Sequence, residues 1–387
     1  MKVLAKFFGI AAIMMMALVG AGAASANHDT NKVVGHVYTN ENTAGANTVA
    51  GFDRHADGTL TPIAGSPFNV EGAGTGTIVG SAGAIAESDD GHFLLAVDAG
   101  SNQISVARIA HDGSLSPVFG GPVSANGTTP VSIAVHNHLV YVANTGAGGS
   151  NYTGFYFLFG HLFPIPGSTY ALPDDALPGT VIFNGNGNHL IGTRVGPNAG
   201  PSFIDSFDVR WNGQLVPAPG SPFAAQKIGP FGSSFSPTHP NQLFVSNAHD
   251  GALAGSVSAY NVSHDGTLTP IGASPFADNQ TAPCWVALTH DGKYLFAVNT
   301  ASSSISSYKV SQGGTLTLLG STPFKSPTGL KPFDIQVAPG DHFLYVVDAG
   351  AAKISAFAVA NNGGLSELAS SPISLPAGAT PFGIVVD

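Results

Sequence analysis

Residues 57–68 read DGTLTPIAGSPF, and residues 265–276 read DGTLTPIGASPF. Ten of the twelve letters are identical, and the two copies begin 208 residues apart. Near-identical repetition over such a distance indicates that the chain is built from copies of one structural unit. The length of that unit decides the fold.

The unit length can be read from apolar runs that end in Asn or Asp, which recur at a mean step of about 51 residues. These runs are VYTN (37–40), LAVD (95–98), YVAN (141–144), FVSN (244–247), FAVN (296–299) and YVVD (345–348), and LIGTR (190–194) fills the gap. The two copies of the dozen residues therefore lie four units apart. A period of about 40–50 residues with several strands per unit is typical of a β-propeller.

A single unit, residues 331–372, predicts four strands: PFDIQVA, FLYVVD, KISAFAV and LSELASSPI. The first two are apolar almost throughout, as expected for strands covered on both faces. Prolines such as Pro62 and Pro270 indicate that the fourth strand is an outer edge. Asp-Gly pairs at 57–58, 112–113 and 265–266 predict two-residue hairpins between the third and fourth strands.

The two ends of the repeat array complement each other. VVGHVYTN is a second strand with no first strand before it, and TPFGIVVD is a first strand with no second strand after it. We therefore predict an all-β fold: a closed ring of seven four-stranded antiparallel blades, forming one domain over residues 27–387. Pro381–Val386 should pair beside Val33–Thr39 and complete the first blade.

The N-terminus predicts export. Lys2 and Lys6 precede an apolar run over residues 7–19, and Ala24-Ser25-Ala26 forms an A-x-A cleavage site. The run is shorter than the roughly 20 residues of a membrane-spanning helix, and no later stretch could span a bilayer. We expect residues 1–26 to be a signal peptide and the mature chain to be secreted or periplasmic.

Composition narrows the function further. Without Lys2 and Lys6, 11 basic residues oppose 23 acidic ones, so a surface that follows nucleic-acid phosphates is not expected. The lone Cys284 allows no internal disulfide, and its apolar setting beside Trp285 predicts a buried structural thiol. We expect no cofactor, no metal and a monomer.

The literal VYTN, the VYVAN at 140–144 and the D-G-x-L hairpins resemble YVTN-type propellers. More specifically, the chain resembles the seven-bladed lactonase family, which includes the bacterial 6-phosphogluconolactonases. The resemblance implies lactone hydrolysis by His, Arg and Glu side chains around one mouth of the central channel. The matching positions here read Gly229-Pro230-Phe231-Gly232, Asn247-Ala248, Asn299-Thr300 and Leu177-Pro178-Gly179-Thr180, and comparable Pro-x positions carry Cys284, Phe333 and Phe382.

Two functions therefore remain open. One is an exported lactone hydrolase of the 6-phosphogluconolactonase type whose catalytic positions are degenerate. The other is a non-catalytic propeller that binds a protein or glycan outside the cytoplasm. Because a fold hosts many chemistries, the repeat alone does not choose between them.

Opening a lactone requires a base for water and a donor for the oxyanion. Arg194 ends a second strand and could bind a carboxylate, or it could pair with an acid in a structural role. His249 and Asp250 could form a base and its orienting acid, or simply a polar loop. Lys331 and Asp334 flank the start of a first strand and could act in a site or form an ion pair.

Two further patterns have competing interpretations. The recurring strand-end Asn and Asp residues could ligate a metal, but recurrence at one structural position favours a role in capping turns. Two units are irregular: residues 151–167 are unusually aromatic, and residues 196–203 lengthen a loop. These irregularities mark either binding features or packing substitutions.

Overall fold

The computed structural model describes residues 31–387, and in it seven antiparallel sheets form a ring around a central channel. The predicted seven-bladed all-β propeller is confirmed. The predicted signal peptide lies outside the described residues. Within residues 31–387, the only helical turn is the 3₁₀ segment Asp174–Ala176, and no helix is long and apolar enough to cross a bilayer.

The strands follow in chain order. Those of blade 1 are β1 (Val33–Asn40), β2 (Thr48–His55), β3 (Leu60–Pro62) and β4 (Phe68–Asn69). Those of blade 2 are β5 (Ile85–Glu87), β6 (Phe93–Asp98), β7 (Gln103–Ile109), β8 (Leu115–Pro117) and β9 (Val123–Ser124). Those of blade 3 are β10 (Pro130–His136), β11 (Leu139–Asn144), β12 (Asn151–Leu158), β13 (His161–Pro164) and β14 (Tyr170–Ala171). Those of blade 4 are β15 (Pro178–Phe183), β16 (His189–Arg194), β17 (Phe203–Val209), β18 (Leu215–Pro217) and β19 (Phe223–Ala224).

The remaining blades repeat this order. Those of blade 5 are β20 (Pro230–Phe235), β21 (Gln242–Asn247), β22 (Ser256–Val262), β23 (Leu268–Pro270) and β24 (Phe276–Ala277). Those of blade 6 are β25 (Pro283–Leu288), β26 (Tyr294–Asn299), β27 (Ser304–Val310) and β28 (Leu316–Pro323). Those of blade 7 are β29 (Pro332–Val337), β30 (Phe343–Asp348), β31 (Lys353–Val359), β32 (Leu365–Glu367) and β33 (Ile373–Ser374), and β34 (Phe382–Val386) follows.

The last strand closes the ring in the predicted way. β34 pairs antiparallel with β1, so that Val37 faces Val386 and Asn40 faces Phe382. The Arg54 Nε donates a hydrogen bond of 2.8 Å to the backbone oxygen of Asp387. Blade 1 is therefore built from both ends of the described chain.

The glycine of the hairpin between the third and fourth strands contacts the neighbouring blade, and three of these hairpins are the Asp-Gly pairs. Gly58, in blade 1, has a φ of +82°, and a Cβ there would lie 2.4 Å from a ring carbon of Phe343, in blade 7. The Tyr345 hydroxyl donates to the Gly58 oxygen at 2.9 Å, and Tyr38 makes the same contact with Gly113 at 2.8 Å. Only glycine allows this approach at a positive φ, which explains why the hairpin is repeated around the ring.

These hairpins differ from the predicted two-residue turns. In the first copy only Gly58 has a positive φ, and the Asp57 carboxylate instead accepts hydrogen bonds from the Thr59 N–H and hydroxyl at 3.0 and 2.6 Å. The loop is a longer turn that ends in a left-handed glycine, and the aspartate side chain stabilises it by accepting from the backbone N–H two residues further on. The prediction of a two-residue turn was wrong at these pairs.

The outer strands also differ from the prediction, because six of the seven are split into two short segments. The break leaves a third-strand N–H without its ladder partner, and a serine side chain replaces that partner. The Ser66 hydroxyl accepts from the Gly51 N–H at 2.9 Å, and Ser274 accepts from Ala259 at 2.7 Å. The Ser-Pro-Phe that ends the repeated dozen therefore has a structural role at the break.

Candidate functional site

The first strands of the blades line the central channel, which contains a cavity of ≈ 580 Å³. The cavity reaches the turns between first and second strands, where Gly185, Pro237 and His290 contribute to its wall. Glu87 and Trp285 also line it. Burial, together with the negative charge of Asp387, raises the pKa of Glu87 to about 7.

The opposite end of the channel, where the first strands begin, is filled by apolar side chains. We call this group the apolar cap, and it consists of Ala82, Val195, Phe231, Ala248, Cys284, Phe333 and Ala349. Phe231 and Phe333 are only 7% and 9% exposed. Cys284 is buried, as predicted, and its burial raises the pKa of its thiol to about 12.

The positions that the lactonase resemblance assigns to catalytic side chains lie in or beside this cap. Phe231 and Ala248 are members of it. Gly232 has no room for a side chain, because a Cβ there would lie 2.6 Å from the Cys284 carbonyl oxygen. The Thr300 hydroxyl donates to the Pro332 oxygen at 2.6 Å and so joins blade 6 to blade 7. All four positions hold packing or backbone-binding groups.

Arg194 ends β16 beside the cap member Val195. Its Nε and Nη2 atoms donate to the two carboxylate oxygens of Asp205 at 2.7 and 2.6 Å, and the Tyr152 hydroxyl donates to the same carboxylate at 3.1 Å. The Arg194 side chain is 10% exposed and that of Asp205 is fully buried. The guanidinium is thus held in a two-pronged buried ion pair, the strongest geometry available to it.

His249 and Asp250 follow the cap member Ala248 in the loop after β21. The Asp250 Oδ1 accepts from the Ile228 N–H at 3.2 Å, and no hydrogen bond joins the two side chains within the described part of the chain. The His249 Nδ1 is buried with no hydrogen-bond partner. Burial lowers the pKa of His249, although the nearby Asp250 opposes the shift, so the imidazole is neutral near pH 7.

Lys331 and Asp334 lie in separate environments. Lys331 is exposed, whereas Asp334 is 1% exposed beside the cap member Phe333. Neither carboxylate oxygen of Asp334 has a hydrogen-bond partner, and among residues 31–387 no ion pair joins the two side chains. Burial raises the pKa of Asp334 to about 8.

The candidates therefore border the apolar cap from blades 4, 5 and 7 without forming one hydrogen-bonded constellation. Glu87 and His290, in the cavity on the other side of the cap, were not singled out from the sequence. Glu87 ends β5 with a carboxylate, whereas five of the other six first strands end in an apolar residue and β10 ends in His136. That exception was the signal that could have identified it.

The recurring strand-end Asn and Asp side chains are buried, and they form hydrogen bonds with other groups of the protein. Asn247 and Asn299 each donate from Nδ2 to two serine hydroxyls of the third strand at 2.9–3.1 Å. Asp98 accepts from Asn47 at 2.9 Å, and its second carboxyl oxygen lies 2.5 Å from the Ser105 Oγ. Within residues 31–387, no group of three or more His, Cys, Asp or Glu side chains is placed to hold a metal ion.

Comparison with known proteins agrees with the predicted resemblance. Residues 235–385 match the family model described as "Lactonase, 7-bladed beta-propeller". A putative 6-phosphogluconolactonase from Bacteroides uniformis is 19% identical with a TM-score of 0.72, over 92% of this chain and 99% of its own. The periplasmic gluconolactonase PpgL of Pseudomonas aeruginosa is 16% identical with a TM-score of 0.67, over 91% and 98%. No curated protein matches the sequence. At these identities the similarity to solved structures shows the fold.

Proposed function

We propose that this protein is an exported, lactonase-like propeller that acts by binding an extracytoplasmic partner and does not hydrolyse 6-phosphogluconolactone at a rate typical of a lactonase. The observation that carries the proposal is the apolar cap. At the channel mouth where the resemblance expects His, Arg and Glu, the chain places Phe231, Ala248 and Phe333. None of these can move a proton or clamp a phosphate.

Charge supports the same proposal. A phosphorylated sugar acid requires several cationic contacts, and arginine is the residue best suited to them. The four arginines are Arg54, Arg108, Arg194 and Arg210. Of these, Arg194 is the one that ends a strand at the cap, and Asp205 already neutralises it. Export is supported by the N-terminal sequence and by the fold shared with a protein described as periplasmic.

The test is a pH-stat assay of the purified protein against a panel of lactones that includes 6-phosphogluconolactone. We expect no turnover above the uncatalysed rate. Turnover typical of the family, lost in Arg194→Ala, would contradict the proposal, with Arg210→Ala as the matched control because Arg210 lies on an exposed hairpin. Circular dichroism of each variant separates a lost activity from a lost fold.

A second candidate is hydrolysis of an unphosphorylated lactone, favoured by one feature. His249 offers an unpartnered ring nitrogen and a neutral imidazole beside the cap, which is what a general base for water requires. Under this candidate, turnover of a neutral lactone is abolished by His249→Ala and retained in His239→Ala, which removes an exposed histidine of the same blade. Turnover retained in both variants would exclude His249 as the base.

A further inference from the structure

The ring carries a second concave surface at the seam between blades 2 and 3, away from the apolar cap. This cleft has a volume of ≈ 510 Å³, and its lining includes Asp89, Asp90, Phe93, Arg108, Phe157 and Phe159. Its volume lies within the roughly 300–1,000 Å³ of sites for small ligands. Protein partners, by contrast, cover on the order of 800 Å² of surface per side.

The floor of the cleft is aromatic and rigid. Phe93 and Phe157 are buried and meet edge to face at 5.5 Å. The Arg108 guanidinium lies over the Phe93 ring, 4.8 Å from its centroid. Gly160 holds the hairpin of blade 3 against this floor, because a Cβ there would lie 2.5 Å from a Phe93 ring carbon.

The rim of the cleft combines hydrogen-bond donors with acceptors. The Asp89 Oδ2 accepts from the Asn137 N–H at 2.6 Å, and the Asp90 Oδ1 accepts from Ser88 Oγ and the His92 N–H at 2.6 and 3.0 Å. The second oxygen of each carboxylate accepts no hydrogen bond from residues 31–387. Arg108 pairs with no carboxylate in the same part of the chain, so its N–H groups remain available as donors.

One exposed ring stands over this rim at an unusual turn. Leu158 pairs with His161, so Phe159 and Gly160 form a two-residue hairpin in which both have positive φ, +55° and +85°. Such turns favour Asn-Gly, and a bulky residue at positive φ is an outlier. Phe159 is nonetheless 92% exposed. An exposed ring retained at a backbone cost indicates a role outside the fold.

The groove continues past Gly160 toward the outer edge of the ring. A smaller depression of ≈ 130 Å³ follows, and its lining includes Phe119, His161 and Phe163. Phe119 is 95% exposed and Phe163 is half exposed. Aromatic faces therefore flank two adjoining depressions, which suits a ligand made of more than one ring.

We propose that this seam is a carbohydrate-binding site that takes neutral sugar rings of an oligosaccharide. A sugar presents a flat apolar C–H face, which stacks on an exposed aromatic ring, and a rim of hydroxyls that both donate and accept. Asp89 and Asp90 supply acceptors, Arg108 supplies donors and Phe159 supplies the stacking face. Two carboxylates and one guanidinium line the cleft, and this negative balance disfavours an anionic sugar or a nucleic acid.

This inference deepens the proposed binding function by naming its ligand class and its site, and it does not depend on the chemistry at the apolar cap. The test is calorimetric titration of the purified protein with four hexamers, of β-1,4-glucose, α-1,4-glucose, β-1,4-mannose and β-1,4-N-acetylglucosamine. At least one should bind.

The variants are Phe159→Asn and Arg108→Gln. The first creates the favoured Asn-Gly hairpin, so it removes the ring and keeps the turn. Each should weaken binding by about tenfold or more. Trp211→Ala is the matched control, because Trp211 is 94% exposed on the equivalent hairpin of blade 4 and lies outside the cleft. It should change the affinity less than about twofold.

Two outcomes would overturn the inference: no binding to any hexamer at millimolar concentration, or equal loss in Trp211→Ala and Phe159→Asn. The lactone assay separates this inference from the proposed function. If both lactone turnover and hexamer binding are observed, the proposal that the protein does not hydrolyse lactones is contradicted, and the carbohydrate site stands. If neither lactone turnover nor hexamer binding is observed, the carbohydrate site alone is contradicted, and a protein remains the expected partner.

Discussion

Burial raises the pKa of the carboxyls at the strand ends, and the hydrogen bonds that hold those carboxyls oppose the shift. Burial raises the pKa of Asp98 to about 7, and burial, with a smaller contribution from Glu367, raises that of Asp348 to about 8. Ser105 Oγ also lies 2.5 Å from the Val70 oxygen, so a protonated Asp98 can donate to Ser105 while Ser105 donates to Val70. Asn247 already donates to serines in the equivalent position. A neutral side chain is thus the form these positions favour.

Replacing Asp98 or Asp348 by asparagine should remove part of the pH dependence of the free energy of unfolding. In the folded protein they hold protons up to about pH 7–8, whereas unfolded aspartate releases them near pH 4, so stability falls as pH rises through that window. The unsubstituted protein should lose, between pH 5 and pH 9, on the order of 3 kcal/mol of unfolding free energy at each of these carboxyls, since one pKa unit is about 1.4 kcal/mol. Asp98→Asn and Asp348→Asn should each remove that loss. Denaturant unfolding at the two pH values measures it.

Asp265→Asn is the control, because Asp265 is exposed and hydrogen bonds to Ser263 and Thr267 lower its pKa to about 2. The contribution of Asp265 to the stability of the fold is lost only as the pH falls through the acid range. An unchanged difference between pH 5 and pH 9 in Asp98→Asn would show that this carboxyl is ionised in the fold.

At the scale of elements, the Asp-Gly hairpin acts as an inter-blade contact as well as a turn. Gly58→Ala should destabilise the protein by about 1–3 kcal/mol more than Gly45→Ala. Both glycines have a φ near +80°, but a Cβ at Gly45 meets nothing within 4 Å, whereas one at Gly58 meets Phe343. Chemical denaturation of the two variants isolates the contact from the backbone cost. Equal losses would show that Phe343 moves aside freely.

Local patterns predicted most elements. Apart from the turn length at the Asp-Gly pairs, the errors lie where distant groups decide. Strand ends and hairpins recur because each is specified within a few residues. The split of the outer strand depends on a serine reaching a third-strand N–H fifteen residues away, as Ser66 reaches Gly51. The apolar cap gathers residues from 82 to 349 in the chain, and no window of sequence displays that convergence. In the sequence, Phe159 is one residue of an aromatic segment, and that pattern does not predict the turn that exposes its ring.

The whole ring depends on its closing strand. A chain ending at Thr380 lacks β34 and the backbone oxygen that Arg54 binds, and it exposes the unpaired edge of β1. We expect a large fall in the midpoint of thermal unfolding, together with a tendency to associate. Adding a synthetic peptide of residues 381–387 should restore part of the stability. An unchanged midpoint in the shortened chain would mean that the ring is held without its closing strand.

The apolar cap also determines how molecules can move through the centre of the ring. With one end filled by Phe231, Phe333 and their neighbours, the channel formed by residues 31–387 is a well that opens at the end lined by His290 and Pro237. Anything that enters past His290 and Pro237 must leave by the same opening. The time that a molecule spends in the well therefore depends on this one opening. A molecule that moves between the two faces of the ring has to pass around its outer edge.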